Sequence, residues 1–174
     1  MKKIILIVGA SGVGKDSLLK SLKGKININF VKRYITREPD QNENNYYIDD
    51  EAFHRLKKDD FFISTWEAHT NKYAIAKNQI VDGLNLISIS RGAIKDFENY
   101  FDNVITIEIT LSKDMLYKRL KNRGRETEEQ IQKRLERSYN KIEAKQIIQF
   151  DNSKSIKESS IDFLELLQRI DNEK

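Results

Sequence analysis

Five apolar residues in unbroken succession, Ile4 to Val8, run directly into a glycine-rich turn. A short apolar run bounded by glycine predicts a strand buried on both faces. Polar residues then recur at helical spacing over Lys15–Leu22. The same reading along the chain predicts a strand over Phe30–Thr36 and a short helix over Asp49–Lys58, with Ala52, Phe53 and Leu56 on one face. Phe61–Trp66 and Lys72–Ile75 read as strands around a turn at Thr70-Asn71. Leu84–Ser90 and Val104–Thr110 are strands rich in β-branched residues, followed by helical patterns over Arg91–Tyr100 and Lys113–Lys121. Glu126–Lys145 reads as a long, highly charged helix and Ile147–Phe150 as a last short strand. Ser155–Ile170 closes the chain as a helix with Ile156, Ile161, Leu164, Leu167 and Ile170 along one face.

Strands alternating with helices predict an α/β fold with a mainly parallel central sheet between two helical layers. Ligands of such sheets bind beyond the carboxyl ends of the strands, so the Gly9 loop, Ser88–Arg91 and Thr110–Ser112 are expected along one rim. The rhythm breaks between about residues 30 and 82, which predicts an inserted subdomain with a small antiparallel element. One domain is expected over residues 1–174: a core of 1–32 and 83–174, an acceptor-binding insertion of 33–82 and a lid of 119–140.

Composition narrows the function classes. The 174 residues include no cysteine, so neither disulfides nor thiolate chemistry are available, which fits a reducing cytoplasm. The formal net charge of +4 is mild, and lysine is spread along the chain rather than gathered into a nucleic-acid-binding stripe. No apolar run approaches membrane-spanning length, so neither a membrane nor a nucleic acid is expected as a partner. Two histidines with no cysteine argue against a zinc site.

The candidate chemistry starts in the loop Gly9, Ala10, Ser11, Gly12, Val13, Gly14, Lys15, Asp16 and Ser17. It follows the phosphate-loop pattern G-x-x-x-x-G-K after a strand and before a helix, the context the three-layer P-loop fold requires. Glycines let backbone N–H groups form an anion nest, the following helix adds its positive end, and Lys15 supplies a point charge for the β- and γ-phosphates. ATP is the expected co-substrate. Where a magnesium-binding hydroxyl is usual, Asp16 stands, and the strand Leu84–Ser90 carries no acid. Both departures have one explanation if Asp16 is the magnesium ligand, since one carboxylate suffices for a cation that keeps several waters. The alternative is that Asp16 only complements the first turn of its helix.

These residues resemble the ribose 1,5-bisphosphate phosphokinase family of guanylate-kinase-like enzymes, whose loop also reads G-K-D-S. The resemblance extends through Arg33-Tyr34-Ile35-Thr36-Arg37, Glu43-Asn44, Thr65-Trp66-Glu67-Ala68, Tyr73 and Ser88-Ile89-Ser90-Arg91 to Arg119-Leu120-Lys121-Asn122-Arg123-Gly124-Arg125-Glu126. It implies transfer of the γ-phosphoryl of ATP to the 1-phosphate of ribose 1,5-bisphosphate, giving 5-phosphoribosyl 1-diphosphate. It also implies that Arg33, Thr36, Arg37, Glu67, Tyr73, Ser90 and Arg91 bind a small phosphorylated acceptor, and that Asn152 lies where the adenine edge is read. The chain departs from the family at Glu67, where histidine is common, and at Ala74, where glycine is common. Guanylate kinase is the near alternative. Thr36 and Arg37 fit its acceptor motif, and Glu67 and Tyr73 fall near its glutamate–tyrosine pair, but Asp40 stands where its second arginine is expected. A second alternative is a guanylate-kinase-like domain that binds a partner without catalysis, against which Lys15 and the lid arginines argue.

An acceptor phosphate is already an anionic nucleophile, so no general base is demanded of the chain. The difficulty is holding two polyanions together, which calls for cations. Arg33, Arg37 and Arg91 are available for the acceptor, and Arg119, Arg123, Arg125, Arg134 and Arg137 for a lid with Gly124 as its hinge. Lys15, Arg123, Arg125 and Arg134 are the expected catalytic cations. For the lid arginines the structural alternative is a solvated helix paired to Glu126, Glu128, Glu129 and Glu136. His54 reads as a surface residue, His69 as structural or acceptor-touching, and Trp66, Phe61 and Phe62 as core or pocket wall.

Overall fold

The computed structural model describes residues 1–38, 45–68, 70–124, 126–138 and 141–173, with positions 137 and 138 as backbone only. In chain order the elements are β1 (Lys2–Val8), α1 (Lys15–Ser21), β2 (Asn29–Phe30), β3 (Tyr34–Ile35), β4 (Tyr46–Tyr47), α2 (Asp50–Lys58), β5 (Phe62–Ala68) and β6 (Asn71–Ala76). They continue as β7 (Gly83–Ser88), α3 (Ile94–Tyr100), β8 (Val104–Thr110), α4 (Lys113–Arg123), α5 (Glu128–Ser138), β9 (Ile147–Asp151) and α6 (Ile156–Asn172). The central sheet has the order β2-β7-β1-β8-β9, with β2–β7 and β8–β9 pairing parallel. A second sheet has the order β4-β3-β6-β5. This is the expected α/β fold with a mainly parallel central sheet. No described helix is long and apolar enough to cross a membrane.

The chain forms two compact units. One comprises Met1–Leu6 and Ile28–Ile105, the other Ile7–Asn27 and Thr106–Lys174. In the first, Asn85 of β7 is fully buried yet fully employed. Its Nδ2 donates to the carbonyls of Lys3, Val81 and Gly83, and its Oδ1 accepts from Asn29 Nδ2 and the Val81 N–H. A buried amide is tolerated because every polar atom finds a partner.

The smaller sheet also belongs to the first unit. β3 pairs antiparallel with β6, and β6 with β5, so Ile35, Tyr73 and Trp66 lie in one row. Alternation along a strand gives the sheet two distinct faces. On one, Phe62, Ala74 and Ala76 pack with Phe53 of α2 into a core that Tyr34, Leu56 and Phe61 flank. The other carries Tyr73, Trp66 and Arg33.

Four expectations change. Phe30–Thr36 is not one strand but two, in different sheets. Between them the side-chain amide of Gln79 takes over the backbone of Lys32, accepting from its N–H at 3.0 Å and donating to its carbonyl at 2.9 Å. The backbone there needs no strand partner. The first turn of Arg91–Tyr100 is a 3-10 turn, Arg91–Ala93, and the α-helix begins at Ile94. The charged helix expected over Glu126–Lys145 is the shorter α5. Thr127 starts it, its Oγ1 accepting from the Gln130 N–H while Gln130 Oε1 accepts from the Thr127 N–H. The apolar spacing Ile131, Leu135, Ile142 suggests a longer helix, but Ile142 is buried from irregular chain. Finally, α6 buries Ser159, Ser160, Phe163, Leu167 and Ile170, whereas Ile156 and Ile161 are exposed. Ile161 is on the opposite side of the helix from the buried Ile170 at 100° per residue, and Ile156 occupies the first turn.

Candidate functional site

The glycine loop belongs wholly to the second unit. Its backbone makes heavy demands on residue type. Gly9 has φ 150° and a Cβ there would stand 2.6 Å from the Ile109 carbonyl oxygen, a backbone atom of β8. Gly14 has φ 97° and a Cβ there would stand 2.5 Å from Asn152 Nδ2. The left-handed backbone and the missing space each require glycine at Gly14. Lys15, the first residue of α1, reaches back along the loop and donates to the carbonyls of Gly9 at 2.7 Å and Ala10 at 3.0 Å. α1 has only seven residues, so the loop N–H groups and Lys15 carry most of any anion binding.

Asp16 and Ser17 follow in the first turn of α1 and are both exposed. Among the described residues no ion pair engages Asp16, and no cluster of three or more His, Asp or Glu forms a ready-made cation cage.

Two arginines of α4 and α5 touch the loop. Arg134 Nη1 donates to Ser11 Oγ at 3.1 Å, and its Nη2 pairs with Glu126 Oε1 at 2.6 Å. Arg119 Nη1 donates to the Val13 carbonyl at 3.1 Å and Nη2 to the Asn152 carbonyl at 3.2 Å. Arg123 is exposed at the end of α4, which Gly124 terminates in the left-handed conformation, φ 62°. Arg125 lies outside the described residues, as does the side chain of Arg137. Asn152, just past β9, is 3% exposed, and its Nδ2 donates to the Val13 carbonyl at 2.6 Å.

The acceptor candidates belong to the first unit. The guanidinium of Arg33 stands 5.8 Å from the centre of the Tyr73 ring, and its Nε donates to Asn45 Oδ1 at 3.3 Å. Tyr73 stacks on Trp66 at 5.7 Å and 7° between planes. Both rings are half-buried. An apolar wall beside a fixed guanidinium suits a phosphorylated small molecule. Thr36 accepts from the Lys72 N–H at 2.9 Å through Oγ1, and its own N–H donates to the Lys72 carbonyl at 3.1 Å. Arg37 is exposed. Ser90 precedes the 3-10 turn that begins at Arg91, and both are half-buried. Glu67 is not brought together with Tyr73. It is exposed and pairs in register with Lys72, so its side chain projects from the face of the hairpin opposite to Tyr73. His54 is exposed on α2; His69 and Asp40 lie outside the described residues.

Residues 5–147 match a family described as AAA domain. Ribose 1,5-bisphosphate phosphokinase PhnN of Agrobacterium fabrum is 31% identical over 176 residues, which cover 95% of this chain and 96% of the relative. Its counterpart in Azotobacter vinelandii is 30% identical over 176 residues, covering 96% of each chain. The chain belongs to the ribose 1,5-bisphosphate phosphokinase family. Solved structures agree on the fold. A guanylate kinase from Anaplasma phagocytophilum superimposes with a TM-score of 0.70 at 18% identity, covering 99% of this chain and 88% of that one. A gluconokinase from Sinorhizobium meliloti gives 0.55 at 17% identity, covering 98% and 94%. The chain is a P-loop kinase of guanylate-kinase-like fold, a nucleotide-binding phosphotransferase.

In this member of the phosphokinase family, sequence reading missed one supporting residue, Asn45, which holds Arg33. Glu126 pairs with Arg134, as the structural alternative for the lid arginines expects, and Trp66 backs Tyr73. That pairing had a legible signal: Trp66 and Tyr73 are equidistant from the centre of the turn after β5, so hairpin pairing makes them cross-strand neighbours. Asn45 reaches Arg33 from a loop, an approach that no local pattern encodes.

Proposed function

We propose that the chain transfers the γ-phosphoryl of ATP to the 1-phosphate of ribose 1,5-bisphosphate, releasing ADP and 5-phosphoribosyl 1-diphosphate. An oxygen of the acceptor phosphate attacks the γ-phosphorus, and the bond to the bridging β–γ oxygen breaks. The similarity of named relatives over 95% of the chain carries this reading. The acceptor is already anionic, so the work is positioning and charge neutralisation rather than proton removal.

In this reading the loop Gly9–Ser17 grips the nucleotide and Lys15 meets the β- and γ-phosphates. Arg134, already against Ser11, joins Arg123 and Arg125 in neutralising the transferring group. Arg33, Arg37, Ser90 and Arg91 hold the acceptor phosphates, Tyr73 walls the sugar, and Thr36 fixes the backbone beside them. The chain divides functionally into a core of 1–32 and 83–174, an acceptor insertion of 33–82 and a lid of 119–140. Asp16 fits a magnesium ion that keeps most of its waters, being an exposed carboxylate beside Lys15. Magnesium bound there would neutralise phosphate charge. A cytoplasmic location suits ATP and a chain without cysteine.

The test is ADP release measured with ribose 1,5-bisphosphate, GMP and dGMP in parallel. Turnover is expected with the sugar bisphosphate. Turnover on GMP or dGMP alone makes the protein a nucleoside monophosphate kinase, and none on any of the three supports a binding domain.

A further inference from the structure

Arg119 and Asn152 share one target. Both donate to the carbonyl of Val13, at 3.1 Å and 2.6 Å, from two different elements. They are also tied together, since the second arm of the Arg119 guanidinium takes the Asn152 carbonyl at 3.2 Å. Asn152 in turn is anchored to β8, its N–H donating to the Thr110 carbonyl at 2.9 Å. The chain leaves room for this clamp: a Cβ on Gly14 would stand 2.5 Å from Asn152 Nδ2 and 3.3 Å from Arg119 Nη1.

The Val13–Gly14 peptide is trans, like every other described peptide. In a trans peptide the C=O and the following N–H point to opposite sides. Holding the Val13 carbonyl therefore also fixes where the Gly14 N–H points: away from the clamp. Gly14 is a nest residue of the phosphate loop, and its N–H is of use only if it keeps that direction before the ligand arrives. A peptide between two glycine-flanked turns would otherwise rotate easily.

We propose that Arg119 and Asn152 are positioning residues that lock the Val13–Gly14 peptide so that the Gly14 N–H is preset for phosphate. The Asn152 amide is spent on the loop rather than on a base edge, and Arg119, at the first residue of the proposed lid, serves the loop's foundation rather than the transferring phosphate. This rests on the nucleotide half of the proposed function and is independent of which acceptor is used.

The test compares ADP with inorganic tripolyphosphate, a probe with no base, both with magnesium and without acceptor. The variants are Asn152→Asp, which turns an oxygen toward the Val13 carbonyl, and Arg119→Lys, which keeps the charge but cannot span two carbonyls. Asn152→Asp is expected to weaken both ligands equally, by about tenfold, the loss of one charge-assisted contact. Arg119→Lys should weaken both in the same ratio to a smaller extent, with the melting temperature of the unliganded protein little changed. ATP KM should rise more than kcat falls. Weakening of ADP alone would make Asn152 a base reader and overturn the proposal, as would unchanged binding of both ligands. If Asn152→Asp does not fold, the half-buried Arg119→Lys decides by the same two outcomes.

Discussion

The unit that bears the glycine loop and the unit that carries the acceptor candidates are built in opposite ways. Around the loop, everything is committed in advance. Gly9 and Gly14 have no room for a Cβ, Asn152 is buried against Val13, and Lys15 is held by two carbonyls of its own loop. Among the acceptor candidates, Arg33, Thr36 and Arg37 flank the two-residue β3, Tyr73 stands on β6, and Ser90 and Arg91 lie at a 3-10 turn. Arg33 leans on a half-buried aromatic pair and Arg37 is exposed. A constant ligand such as a polyphosphate justifies a preset site, because ordering costs are met in folding rather than in binding. An acceptor pocket must discriminate, and side chains on a hairpin can be changed without disturbing the core.

The sharpest way to break that comparison is Lys15→Ala. If the loop is the preset half, kcat/KM should fall by about a hundred- to a thousandfold, as for other single donors to transferring charge. The melting temperature should hardly move. A loss of under tenfold would mean that the loop is not the phosphate site.

Next in size is a pair of glycine substitutions. Gly14→Ala meets Asn152 and also forces alanine to φ 97°, whereas Gly24→Ala, at φ 75°, has nothing within 4 Å of the new Cβ. Backbone strain alone costs about 1–2 kcal/mol. Gly24→Ala should show about that in chemical denaturation, with ADP affinity unchanged. Gly14→Ala should cost more and weaken ADP by at least about tenfold, since the clamp must yield. Equal effects at the two positions would deny the loop its special tightness.

This contrast explains what the sequence made legible. Where conformation dictates residue type, the pattern is visible: Gly9, Gly14 and Lys15 appear at fixed spacing because only those residues satisfy the turn. The strand Lys2–Val8 was readable because burial on both faces demands the continuous apolar run Ile4–Val8, and Val104–Thr110 because it is rich in β-branched residues. The acceptor half was readable only as separate motifs. Arg33, Trp66 and Tyr73 meet through strand pairing across forty residues, and pairing is set by tertiary contacts. Glu67 illustrates the cost: it is adjacent to Trp66 in sequence, and for that very reason it points away from it. The division of Phe30–Thr36 between two sheets was equally hidden, since it depends on Gln79, far along the chain.

A smaller effect is expected on the acceptor face. Arg33→Ala should raise the acceptor KM by about tenfold and leave the ATP KM unchanged, the selective response of a separate subsite. Trp66→Ala removes the ring behind Tyr73 without removing a charge. A stacked aromatic pair contributes about 0.5–1.5 kcal/mol, so the acceptor KM should rise by about two- to tenfold. If either variant shifts both KM values alike, the face is not an acceptor subsite.

The weakest link expected is the latch between the acceptor sheet and α2. Lys72 binds Thr36 through its backbone, while its ammonium pairs with Asp50 at 2.6 Å and lies 3.1 Å from His54 Nε2. The hydrogen bond from Lys72 holds the Asp50 carboxyl below its ordinary value of 3.8. The folded protein thus binds this proton less readily than the unfolded chain, so the unfolded state is favoured as protons are added. The contribution is complete above the ordinary value and disappears as pH falls through the lowered one. Asp50 is exposed, so solvent screening keeps the effect small. In urea titrations at neutral pH and at about pH 3, wild type should lose slightly more stability than Asp50→Asn, which has no proton to gain. Identical acid losses would show that the latch contributes nothing. The acceptor sheet would then be held to α2 by the packing of Phe53 and Phe62 alone, as apolar as the loop unit's hold on Val13 is polar.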